Sequence, residues 1–166
     1  MSALNSARNT PALGRYTPLP PMPVEAATVV YVGGMACLDK NGLLVPAQRI
    51  GSAPLDVLRV VGICGGAYLG HPGQTPKNLT TEVIPGTTQA AGAAGAIKAD
   101  VWTGTFLMDI GAGSITQADV GALCYAEDDH TVYDTSDTAA RPVAGTIVAL
   151  EGGMVWVDFT RQSARA

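Results

Sequence analysis

The sequence predicts an all-β chain of short antiparallel strands joined by turns, with an extended N-terminal arm. Three observations lead there. Gly and Pro are both frequent, at 20 and 11 of 166 residues, and they punctuate the chain at turn-like intervals. The apolar runs between them are short and rich in β-branched residues, as half-buried strands require. No long stretch carries apolar residues at helical spacing. Charged residues make up only 14% of the chain against 47% hydrophobic, well below the usual quarter. A surface so poor in charge implies further burial by assembly.

Residues 1–24 differ from all that follows. Pro11, Pro18, Pro20, Pro21 and Pro23 fall here, interleaved with Arg8, Arg15, Tyr16, Leu19 and Met22. Proline lacks a backbone donor and fixes φ, which argues against a helix or a central strand and for a polyproline-like arm. Ordering such an arm costs about 1–2 kcal/mol per residue, so it needs a partner surface. Arg8, Arg15, Tyr16, Leu19 and Met22 are the side chains predicted to make the contact, on an arm that reaches onto a neighbouring subunit. The division expected is an arm over 1–24, a β-rich domain over 25–160 and a tail over 161–166.

Ala27–Val32 (ATVVYV) is a β-branched run ending at Gly33-Gly34. Met35–Asp39 and Leu43–Ala47 flank Lys40-Asn41-Gly42, and Asn-Gly is the strongest short hairpin signal. Asp56–Ile63 reads as a strand whose continuation bends or bulges at Gly65 and Gly66. His71–Lys77 is a polar loop, Asn78–Ile84 a short strand, and Pro85–Gly95 a small-residue loop. Ala96–Ile110 reads as one long strand or a pair broken at Gly104. Ile115–Gly121 predicts a single helical turn, with Thr116 as N-cap and Gly121 as its stop. The strands ALCYA and TVYD then flank an acidic turn. A last hairpin pairs PVAGTIVAL with MVWVDF across Glu151-Gly152-Gly153, with Met154, Trp156 and Asp158 on one face and Val155, Val157 and Phe159 on the other.

No constellation for catalysis, cofactor or metal is predicted. Glu127-Asp128-Asp129 suggests calcium only superficially, because an EF-hand loop needs alternate ligands and a later bidentate Glu. An acidic β-turn is the favoured reading. Gly62, Gly65, Gly66 and Gly70 lack the phosphate-loop spacing and serve a bend or close packing. His71 and His130 each sit in a polar turn, and Cys37, Cys64 and Cys124 are too far apart for a zinc motif, so buried thiols are expected. Trp156, flanked by valines, is expected in the core, and Trp102 in the core or at a subunit contact. With a net charge of −4 and scattered Lys and Arg, nucleic-acid binding is not expected. Neither a basic-then-apolar leader nor a run of about 18 apolar residues is present, so the expectation is a soluble chain made in a cytoplasm, with no membrane partner.

These segments together resemble the capsid cement, or head decoration, proteins of tailed bacteriophages. The resemblance is carried by GGMACLDKNGLLVPA (Gly33–Ala47), the VGI strand (Val61–Ile63), VWTGTFLMDI (Val101–Ile110), Asp119-Val120-Gly121, CYAEDDHTV, VAGTIV (Val143–Val148) and Val155-Trp156-Val157. It covers roughly residues 28–159. The resemblance implies a small β-barrel or β-tulip-like domain, usually trimeric, on the outer capsid surface of the virion, with the major capsid protein and sister cement subunits as partners and no enzymatic activity. The long proline-rich N-terminus and the Ala/Gly insertion at 89–96 depart from shorter relatives. The alternatives are a small-ligand or glycan-binding β-module on the virion surface, disfavoured by an aromatic content of 5%, and a trimeric nucleotide-hydrolase type of enzyme, whose acidic and Ser/Gly-rich motifs are missing.

Overall fold

A computed structural model describes residues 3–5, 8–26, 28–50, 58–65, 94 and 98–160. The predicted strand at 78–84, the loop at 71–77, all but residue 94 of the loop at 85–95, His71, Gly66, Gly70 and the 161–166 tail lie outside the described residues. Among the described residues there are nine strands: β1 (Ala12–Pro23), β2 (Met35–Leu38), β3 (Leu44–Pro46), β4 (Arg59–Cys64), β5 (Lys98–Ile110), β6 (Leu123–Ala126), β7 (Thr131–Tyr133), β8 (Val143–Glu151) and β9 (Met154–Asp158). The fold is all-β, as predicted.

The strands β5-β7-β6-β8-β9 form a ring that β9 closes by pairing back onto β5. Closure removes the free edges of an open sheet. One contact in the ring is parallel, Asp109 and Ile110 against Thr131 and Val132, where the sequence predicted antiparallel pairing alone. The strands β4, β2 and β3 continue from the first half of β5. β5 therefore belongs to both parts of the sheet. Gly104, at φ 154°, does not break it.

Alternation assigns the two faces of this shared sheet to two cores. Met35 and Cys37 of β2, Val45 of β3, and Phe106 and Met108 of β5 point into the barrel with Val132, Ile147, Val155, Val157 and Phe159. Ala36 of β2, Leu44 of β3, and Ala99 and Val101 of β5 point the other way, into a second cluster. A bulge at Gly62 adds one residue to β4, so Val60 and Ile63 both face the barrel while Cys64 faces the second cluster. The bend or bulge expected at Gly65 and Gly66 falls partly outside the described residues, which stop at Gly65.

The N-terminal segment covers that second cluster. Over Ala12–Pro23 the expected polyproline-like arm is a strand paired antiparallel with the chain's own β5. Its end bridges to β3 through Val24 and Leu44. Polyproline and β backbones share much of φ/ψ space, and an edge strand tolerates the missing donors of Pro18, Pro20, Pro21 and Pro23. Leu19 and Met22 pack on Val24, Val30, Leu44, Cys64 and Val101. The run Thr28–Val32 does not join a ladder, although its composition favours a strand. At its C-terminal end Arg8 N–H donates to Val32 O at 2.9 Å, and the Gly33 that follows donates its N–H to Cys64 O at 2.9 Å. Val30 and Val32 are buried.

The turns follow their local chemistry. Asp39 Oδ1 accepts from Asn41 N–H at 2.9 Å and Leu43 N–H at 2.8 Å, closing the predicted β2–β3 hairpin. The helical turn is a single 3-10 turn, Gln117–Asp119, in which Thr116 N–H donates to Asp119 Oδ2 at 2.7 Å. Gly152 and Gly153 take left-handed φ values of 58° and 81° in the β8–β9 hairpin. Trp156 is buried, but away from the barrel core with Met154 and Asp158, and its Nε1–H donates to Glu151 Oε2 at 2.8 Å.

Candidate functional site

The five residues singled out in the N-terminal segment lie along one path over the domain. Arg8 forms a two-pronged pair with Asp109 at the end of β5, NH1 to Oδ2 at 3.0 Å and NH2 to Oδ1 at 3.3 Å. Tyr16 lies over Gly104, where an added Cβ would stand 3.0 Å from the tyrosine Cβ. Its ring meets Trp102 edge-on at 4.7 Å and Phe106 at 6.2 Å. Leu19 and Met22 are the half-buried lid of the second core. Arg15 is exposed, as are Leu13 and Thr17 on the same strand. Four of the five thus make contacts within their own chain.

Where the segment crosses the Gly33-Gly34 pair, the reason for that pair becomes visible. Gly33 has φ +83°, and an added Cβ would stand 2.0 Å from the Arg8 carbonyl oxygen. Thr10 is fully buried there and its hydroxyl donates to Gly33 O at 2.6 Å. The N-terminal backbone lies directly on the glycine.

Beside this crossing sits the β6–β7 turn, Glu127–His130. Asp128 Oδ1 accepts from His130 N–H at 3.1 Å and Thr131 N–H at 2.8 Å, the local bonding that makes Asp a turn residue. Asp129 Oδ1 accepts from Leu4 N–H at 2.9 Å, and Asp129 O accepts from Met35 N–H at 2.6 Å. The turn thus clasps the N-terminal segment at Leu4. His130 projects between the acids, with Nδ1 3.2 Å from Asp128 Oδ1 and 3.1 Å from Asp129 Oδ1, and Nε2 4.0 Å from Asp109 Oδ2. The side chains of Asp128 and Asp129 are 9% and 2% exposed. The acidic turn is therefore a folded-in cluster and not a solvated loop tip.

The other charges brace the loop between β7 and β8. Arg141 pairs through Nε with Glu127, and its guanidinium stacks 3.8 Å above the Tyr133 ring. Arg49 pairs with Asp137. Asp137, Thr138 and Ala139 all have positive φ, from 47° to 67°.

A third feature is apolar. On β6, β8 and the turn before them, Val120, Leu123, Val143 and Val148 are each about two-fifths exposed. Leu123 is paired with Thr146 and Val143 with Tyr125, so these side chains form one stripe along the outer barrel wall. Among the described residues no aromatic side chain is fully exposed.

Cys37, Cys64 and Cys124 are buried and unbridged, as expected. Burial pushes the Cys64 and Cys124 thiols up to about 12, with Asp100 adding to the effect at Cys64, and pushes Cys37 higher still. Such thiols are inert at neutral pH.

Sequence reasoning did not single out Asp109, Leu4, Thr10 or the apolar stripe. A lone aspartate closing the apolar run FLMDI was a usable signal for Asp109. For the stripe, the signal was a set of valines and a leucine on both faces of β6 and β8. The partners of Leu4 and Thr10 lie far away in sequence and leave no local trace.

No family model matches the chain, and no curated protein or solved structure matches it. Among the described residues, no helix is long and apolar enough to cross a membrane.

Proposed function

We propose that the chain is a structural virion protein that binds the exterior of a phage head and cements neighbouring capsomers. The observation that carries this reading is the apolar stripe Val120, Leu123, Val143 and Val148, displayed on the wall of a closed barrel. Closing the barrel satisfies its backbone, leaving these side chains available to be covered by another protein. The segments that carry the cement resemblance have structural duties that fit a rigid mount. GGMACLDKNG supplies the crossing and the first hairpin, and VAGTIV supplies the strand bearing Val143 and Val148.

In this reading the stripe meets a sister subunit or the major capsid protein, and Arg15 and Leu13 on β1 offer a second exposed strip. Trimerisation would make later contacts intramolecular, raising avidity by about 10²–10⁴ without strong individual contacts. The test is co-sedimentation of the purified chain with expanded heads that lack it. Saturable retention is expected, with loss in Val143→Lys/Val148→Lys that keeps its far-UV spectrum. Absence of retention on expanded heads would end the cement reading.

A further inference from the structure

We infer, building on the reading of the stripe as an interface, that it docks head-to-tail on the exposed face of β1 in a second copy of this chain. Two surfaces of the chain are apolar and uncovered. The first is the stripe itself, Val120, Leu123, Val143 and Val148. The second is β1, whose exposed positions include Leu13, Arg15, Thr17, Pro18, Pro20 and Pro21. Leu13 is the most exposed large hydrophobic side chain among the described residues, at 48%. Contiguous apolar surface of this kind marks a place where another protein sits.

Charge makes the two surfaces complementary. β1 carries Arg15 and no acid, and among the described residues no acid pairs with that arginine. The elements of the stripe carry the opposite sign. Residues 115–126 hold Asp119, next to Val120, and β8 ends in Glu151, with no Lys or Arg in either. Asp119 Oδ2 accepts from the Thr116 N–H at 2.7 Å and the Thr116 hydroxyl at 2.8 Å, while Oδ1 has no hydrogen bond among the described residues. The Thr116 bonds hold this carboxyl below its ordinary range, so it is anionic at neutral pH. Stripe against stripe would set acid against acid, and like charges across an interface cost affinity. Stripe against β1 sets Asp119 against Arg15 and buries Leu13 and the prolines among Val120, Leu123, Val143 and Val148.

Topology places the contact between copies. Leu13 pairs with Thr105, Thr105 with Asp158, Asp158 with Thr146, and Thr146 with Leu123. The two surfaces thus stand at opposite ends of one cross-strand row, four strand spacings or about 19 Å apart around the wall. β1 is itself paired with β5, so it does not fold over onto its own stripe. That pairing also prepares β1 for docking, because the strand is already ordered and proline limits what freedom remains. A contact between two different patches is heterologous. Each added copy leaves one stripe and one β1 face uncovered, so assembly continues past two copies until a ring closes.

The experiment is sedimentation velocity of the full chain across a concentration series, beside two surface variants and their mixture. The unaltered chain is expected to form species of three or more copies, which a head-to-tail contact permits and a two-fold pair does not. Val143→Lys/Val148→Lys removes the stripe and Leu13→Asp/Arg15→Asp the β1 face; all four positions are exposed, so unchanged far-UV spectra are expected. Each variant alone should stay monomeric, because every contact needs both surfaces. Mixed one to one they should form a two-copy species, the intact stripe of one on the intact β1 of the other, and go no further. An unaltered chain that stays monomeric or stops at two copies, a β1 variant that assembles like the unaltered chain, or a mixture that stays monomeric would each overturn the contact. Retention on heads by a chain that is monomeric in solution would put the capsid protein on the stripe, so this contact and the cement reading fail separately.

Discussion

Substituting Gly33 by Ala probes the crossing on which the N-terminal segment depends. A left-handed φ of +83° costs a residue with a Cβ about 1–2 kcal/mol. Reduced freedom of the unfolded chain returns about 0.4–1 kcal/mol. The larger effect is the approach of 2.0 Å to the Arg8 carbonyl oxygen, which only a backbone shift can relieve. That shift breaks the Arg8-to-Val32 bond and strands the fully buried Thr10 hydroxyl. A lost hydrogen bond is worth about 0.5–1.5 kcal/mol and an orphaned buried group about 1–3 kcal/mol. The expected loss is about 3 kcal/mol in urea unfolding, with the Arg8 amide losing protection from hydrogen exchange. Gly42 is the control, because it has φ +75° but open space around its Cβ position. Gly42→Ala should therefore cost only the conformational strain, about 1 kcal/mol. If Gly33→Ala costs no more than Gly42→Ala, the close-approach argument is refuted.

Three further outcomes are expected. Tyr16→Ala removes the edge-on contact with Trp102 and uncovers Gly104; from its half-buried position the loss should be about 2–3 kcal/mol in thermal unfolding, with Tyr16→Phe recovering most of it. Thr138→Gly relieves a β-branched residue at φ 54° and should stabilise by about 0.5–1 kcal/mol, whereas Thr138→Ala should leave the urea midpoint nearly unchanged. For the thiols, the folded values for Cys64 and Cys124 near 12 lie above the ordinary 9.0, so the unfolded chain releases protons first. Their contribution is complete below about pH 9 and falls as pH rises toward 12, which urea midpoints at pH 7 and 10 should register as a drop. A disulfide-exchange reagent at pH 8 should label the folded chain only at its unfolding rate; rapid labelling would contradict the burial.

The hairpins, the capped turn and the all-β class were legible in the sequence because their causes are local. Asn41-Gly42 after Asp39, Thr116 three residues before Asp119, and Gly152-Gly153 between two alternating strands each specify a turn from neighbouring residues alone. Tertiary structure decided what those elements face. Thr28–Val32 has strand composition, yet its backbone oxygens accept from Arg8 N–H at Val32 and from Gly34 N–H at Tyr31, and no ladder forms. The proline-rich stretch is extended, as proline dictates, but a sequence cannot say which surface an extended segment lies on. Its partner is β5 of the same chain, some eighty residues away, because Leu19 and Met22 find the uncovered face of β2, β3 and β5 there. In the same way EDDH reads locally as a polar turn. Only the fold brings Asp109, Arg8 and Leu4 to it and buries two of its acids, turning a solvated loop into a charged cluster with an unpaired oxygen. Turn chemistry acts over a few bonds and is written in sequence; burial and charge compensation depend on distant segments and arise only on folding.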